Sequence, residues 1–219
     1  DLAKGLAWYR KSVDQGDARG QWSLGLIYDE GLGVSQDAAQ AIAWYRKAAE
    51  QGFAPAQEEL GSMYQYGRGV PKDISQALAW YRKAAEQGQL STLRRLAGMY
   101  KEGNGVPQDF KEAAAWYRKT AEQGDALAQL ELGLMYEKGL GVPRDLVLAY
   151  ALVNAAAAHD LKSIVLGDPN EKPRYPAREN RDRIAGQLTN AQIEAGQKLS
   201  RALAETGRFG QVLSEYLGE

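Results

Sequence analysis

Catalysis needs side chains that ionise, attack or coordinate, and this chain of 219 residues holds few of them in useful groupings. It has a single histidine, His159, and no cysteine. A histidine-pair metalloprotease motif is therefore impossible, a metal site would need carboxylates alone, and disulfide, thiolate-zinc and thiol chemistry are excluded together. No G-x-S-x-G elbow, S-x-x-K pair or Walker loop occurs. Adjacent acids such as Glu58 and Glu59 diverge on a helix, which suits a solvated face better than acid and base work. The four G-x-G turns lack a third glycine and a preceding strand, so they are not dinucleotide loops. The reading is a non-enzyme with no catalytic, cofactor or metal site.

Charge narrows the partners. Lysine and arginine number 27 against 28 acidic residues, so nothing draws the chain generally to nucleic acid or anionic lipid. The longest apolar run, Leu146 to Ala158, is interrupted by Asn154 and is too short to span a bilayer. A hydrophobic fraction of 44% is enough for a substantial core. The chain starts at Asp1 in the middle of a repeat, so upstream sequence is expected.

What the chain does hold is repetition. Trp8, Trp44, Trp80 and Trp116 recur every 36 residues, each followed by Tyr-Arg-Lys. Tyr28, Tyr64, Tyr100 and Tyr136 keep the same period, as do the turns GLGV, GRGV, GNGV and GLGV and the series Asp1, Asp37, Asp73, Asp109 and Asp145. A period of this length marks a stacked-repeat architecture.

Each unit reads as helix, turn, helix. Ala77, Trp80, Tyr81, Ala84, Ala85 and Gly88 fall on one helical face, which must be buried. Asp73 with Gln76 marks its start as a reciprocal cap, repeated by Asp37 with Gln40 and Asp109 with Glu112, and Gly88, Gly52 and Gly124 mark its end. The preceding helix carries Ala56, Leu60, Met63 and Tyr64 on one face. Gly25, Gly61 and Gly133, with Ala97 in the third unit, remove bulk where a neighbour must approach. Nothing alternates with period two, so no sheet is expected. One such hairpin cannot bury its faces alone, whereas stacked neighbours bury them jointly.

The pattern AxAQxxLGxMYxxGxGVPxDxxxAxxWYRKAAEQG resembles the Sel1-like repeat, a relative of the tetratricopeptide repeat. The resemblance implies an all-α, right-handed α-solenoid superhelix that serves as an adaptor or scaffold in protein complexes. Many such proteins are bacterial, and a periplasmic or secreted location is slightly favoured over a cytoplasmic one. The units are expected at about 17–52, 53–88, 89–124 and 125–160, with 1–16 the second helix of a truncated repeat.

The last unit departs from the pattern: Leu152 and Val153 stand where Trp and Tyr stood. Residues 161–176, with three prolines, read as a loop, either functional or disordered. Helical pattern resumes at Ala177 to Gln187, and Thr189 with Gln192 opens a helix over about Asn190 to Thr206, giving a C-terminal helical cap over 177–219.

If the repeated letters are structural, function lies where the units differ. The WYRK aromatics belong to the core rather than to a stacking ladder, the aspartates are caps rather than metal ligands, and His159 is a favourable residue at a helix end. The first helices vary at Arg19, Trp22 and Leu26, at Glu58, Glu59 and Ser62, at Arg94 and Arg95, and at Leu130 and Leu134. Steps of three and four place these on one side. By resemblance that side lines a concave groove, banded from apolar through acidic and basic to apolar, in which a partner protein or peptide would bind. Trp22 is the sharpest candidate, although it could merely cover apolar surface, and Arg94 and Arg95 could be paired with nearby acids. The alternative is a carbohydrate-binding or exopolysaccharide-associated accessory protein of the envelope, which would need a row of exposed aromatics. No cofactor is implied, and the oligomeric state is not readable.

Overall fold

The computed structural model describes residues 13, 16–158, 177–205 and 207–219. Asp1, Trp8, His159 and the segment 161–176 lie outside the described residues. The fold is all-α, and the described residues form eleven helices and no strand. Four helix pairs follow the repeats: α1 (Ala18–Glu30) with α2 (Ala38–Glu50), α3 (Ala54–Tyr66) with α4 (Ile74–Glu86), α5 (Leu90–Glu102) with α6 (Phe110–Glu122), and α7 (Ala126–Lys138) with α8 (Leu146–Ala158). Three more follow: α9 (Ala177–Ala185), α10 (Asn190–Leu203) and α11 (Phe209–Leu217).

The register of tyrosine and aspartate has a backbone cause. The N–H groups of Asp37, Asp73, Asp109 and Asp145 donate to the carbonyls of Tyr28, Tyr64, Tyr100 and Tyr136, at 2.9 to 3.0 Å. The aspartate carboxylates of the first three accept from the N–H of Gln40, Gln76 and Glu112 at the starts of α2, α4 and α6. With the aspartate N–H already engaged, Gln40 and Gln76 make no return bond, which corrects the expected reciprocal cap. Thr189 and Gln192 do form the full box at the start of α10.

The small residues of the first helices sit under the aromatic rings of the second. A Cβ added at Gly25 would lie 2.5 Å from the Tyr45 ring, and one at Gly61 would lie 2.7 Å from that of Tyr81. Tyr45 and Tyr81 are fully buried. In the last repeat Val153 takes the ring's place against Gly133. The tryptophans stay half-buried, and a lysine one turn on covers the ring: Lys47 lies 4.0 Å from the Trp44 ring centre and Lys83 4.1 Å from that of Trp80.

The chain divides into two units, Asp1–Leu96 and Ala97–Glu219, the boundary falling inside α5. The first is built on Ala41, Tyr45, Leu60 and Met63. Within it Gly69 packs on the carbonyl of Ala38, at the start of the preceding repeat's second helix, leaving no space for a Cβ. Gly141 packs likewise on the backbone of Phe110 in the second unit. There α8 is enclosed by α7, α9 and α10, which explains a helix apolar on every side.

The C-terminal region differs from the sequence expectation. The helix expected to run to Thr206 ends at Leu203, and a third helix, α11, follows. Its Phe209, Val212 and Leu213 are buried in the core of the second unit. Gly207, at a positive φ of 78°, separates the two helices.

Candidate partner-binding surface

The varying positions of α1, α3 and the start of α5 all belong to the first unit, and two separate sets of polar contacts link neighbouring helices there. Glu58 of α3 accepts from Ser91 Oγ at 2.5 Å and from Gln89 Nε2 at 3.1 Å, with Arg95 Nη2 at 3.8 Å. Arg95 also lies over the Tyr81 ring, 5.4 Å from its centre. On the other side of α3, Arg68 pairs with Asp29 of α1 at 3.2 Å, donates to Ser62 Oγ at 3.2 Å and approaches Glu59 at 4.0 Å. Burial and the neighbouring Glu58 charge push the Glu59 carboxyl above its ordinary range.

This geometry revises the expected bands. The acidic position Glu58 and the basic position Arg95 face each other across adjacent helices, so the charges form one connected surface rather than separate stripes. Arg94 is half-buried beside them and also takes part in an interaction of its own. Arg19 is exposed. Trp22 packs edge-on against Phe53, with ring centres 5.7 Å apart at 61°, and rests with Leu26 on the core of the first unit. Its indole N–H is buried and has no acceptor among the described residues.

Leu130 corrects the candidate set. It is 0% exposed inside the core of the second unit and offers no surface, because α7 is buried on almost every side. Glu131 beside it is also enclosed and accepts from Lys101 at 2.8 Å. Leu134 is half-buried against the same core. Ser62 is buried, and what it contributes is the bond that holds Arg68. Sequence reasoning missed Arg68 and Asp29, which lie outside the compared positions, although GRGV differing from GLGV and GNGV was the available signal.

Among the described residues no cluster of three or more acids or histidines could hold a metal ion. No helix there is long and apolar enough to cross a membrane. Tyr66, 61% exposed, stands out from the half-buried Trp22, and no row of exposed rings forms among the described residues of the first unit.

The Sel1 repeat family model matches residues 1–17, 18–53, 54–89, 91–125 and 126–161. Among solved structures, the chain is similar to c5321, a protective antigen present in uropathogenic Escherichia coli strains displaying an SLR fold. The identity is 36% and the TM-score 0.73, over 99% of this chain and 44% of that one. It is also similar to a Sel1 repeat protein from Oxalobacter formigenes, at 38% identity and a TM-score of 0.67, over 75% of this chain and 50% of that one. The chain thus spans half or less of the length of these two relatives. No curated protein matches it. Sel1 repeats are generally protein-interaction scaffolds. With its 36-residue register, its all-helical pairs and these matches, the chain belongs to the Sel1 repeat family.

Proposed function

We propose that the chain is a non-catalytic adaptor that binds a segment of a partner protein on the face of α1, α3 and α5 carrying Arg19, Trp22, Leu26, Glu58, Glu59, Arg94 and Arg95. The observation that carries this reading is the Glu58 network. A carboxylate held by Ser91, Gln89 and Arg95 from the next first helix is fixed before any partner arrives, so little ordering cost remains on binding. Trp22 and Leu26 supply apolar contact at one end, and arginines supply contact at the other.

The test is affinity purification with mass spectrometry from the source cell, comparing the intact chain with an Arg19→Glu, Leu26→Lys, Arg94→Glu version shown by circular dichroism to be folded. Arg19 is exposed and Leu26 and Arg94 are half-buried, so the circular dichroism comparison is what establishes that the variant keeps its fold. A protein recovered by the intact chain and lost with the variant supports the surface. Equal recovery by both removes this face from the binding site.

A further inference from the structure

The second unit carries a docked helix whose seat is repeated elsewhere in the chain. α11 lies antiparallel along α6: Gly210 stands at the Glu122 side chain, and Ser214 Oγ accepts from Arg118 Nη2 at 2.9 Å. The Glu219 carboxylate takes Arg118 Nη1 at 2.6 Å, and Tyr216 donates to Asp145 Oδ2 at 3.0 Å. Leu213 is 0% exposed and Tyr136 only 4%, so the helix closes the space around the three residues Arg118, Tyr136 and Asp145.

Those residues are repeat positions. Seventy-two residues earlier the same register reads Arg46, Tyr64 and Asp73, all within the first unit and on α2, α3 and the start of α4. There Arg46 donates to the Tyr64 hydroxyl at 2.7 Å, so the guanidinium is already aimed, yet Arg46 and Asp73 are exposed and Tyr64 is only half-buried. Asp73 gives one oxygen to the helix cap, as Asp145 does, and its second oxygen has no partner among the described residues.

We infer that this Arg46, Tyr64 and Asp73 surface docks an amphipathic helix of a partner protein with the chemistry of α11: two or three apolar residues at helical spacing and an acidic C-terminal end. A carboxylate at that end pairs with Arg46, which has donors beyond the one given to Tyr64. A phenol or amide reaches Asp73. This binding mode is a helix laid in a groove, and it uses the second helices rather than the face assigned above to the partner segment.

The probe is a labelled peptide of residues 207–219, titrated against the intact chain. The seat on α6 is held by the chain's own α11 at high effective concentration, so the peptide reports on the first unit. Saturable binding is expected, weakened about tenfold or more by Arg46→Glu and by a Glu219→Lys change in the peptide. Tyr64→Phe, which removes only a hydroxyl, should weaken it less, and Arg19→Glu with Arg94→Glu should leave it unchanged. Absence of saturable binding overturns the proposal, as does binding that survives Arg46→Glu but is lost with Arg118→Glu, which would mean simple exchange with α11. Concentration-dependent self-association of the intact chain, abolished by Arg46→Glu, would make the occupant a second copy and overturn the partner assignment.

Discussion

The two units use one repeat and finish it differently. In the first, Arg46 and Asp73 stand in water on the second helices, and the polar side chains of the first helices bond one another. In the second, the equivalent Arg118 and Asp145 are engaged by α11, and α9 is tied down by Arg183, which forks onto the buried Glu137. In the second unit the helices after the repeats bury apolar side chains in its core, whereas in the first Arg46 and Asp73 stay exposed.

The largest effect should fall on what the units share. Gly69→Ala and Gly141→Ala each place a Cβ against the backbone of the preceding repeat at a φ near 70°. Left-handed strain and overpacking together should cost about 4 kcal/mol in either unit, read by urea unfolding. Gly52→Ala has open space around it and should cost only about 1 kcal/mol. Equal costs at all three sites would show that the close packing between repeats is not what the glycines provide.

Next comes a change that should separate the units. Leu213→Ala empties a fully buried position in α11 and should cost about 3 kcal/mol. Hydrogen exchange should accelerate within 97–219 and stay slow across α2 to α4. A smaller separation should appear with pH. The Arg183 guanidinium bonded to Glu137 holds its carboxyl below the usual carboxylate range despite burial. A lowered folded pKa gives stability that is present above the unfolded value and lost as pH falls through the folded one. Protection of α9 against exchange, taken relative to the intrinsic rate at each pH, should therefore fall on acidification below the ordinary glutamate range, and Glu137→Gln should flatten that dependence at a cost of about 1 kcal/mol near neutrality. The smallest effect is expected at the tryptophan covers: Lys83→Ala, about 0.5 kcal/mol, should exceed Lys119→Ala, whose ammonium lies 4.9 Å from the Trp116 ring centre.

Most of the repeat was legible because its physics is local. Asp73, Gly61, Tyr81 and Gly69 each answer to a neighbour in the same or the preceding repeat, and that neighbour sits at a fixed distance in the sequence. α11 was not legible in the same way. Phe209, Val212, Leu213 and Leu217 do have helical spacing, but the segment is nine residues long and its seat on α6 is set by contacts no repeat predicts. The candidate surface was legible in its variation and not in its electrostatics. Pairing between Glu58 and Arg95 depends on how α3 and α5 lie side by side, and the burial of Leu130 on how completely α7 is enclosed.

The bond from Arg118 to Glu219 spans 101 residues, whereas the glutamine bond from Gln51 to Gln21 spans 30. Repeats can therefore close one after another as a ribosome delivers them, because each loop is short. The seat on α6 follows a different timetable. Arg118 and Tyr136 are made long before the residues that cover them, and they stay uncovered until the final turn of α11 has left the exit tunnel. For that interval the nascent second unit presents Arg118 and Tyr136 much as the first unit presents Arg46 and Tyr64, so a helix that docks on the first should also engage the second transiently.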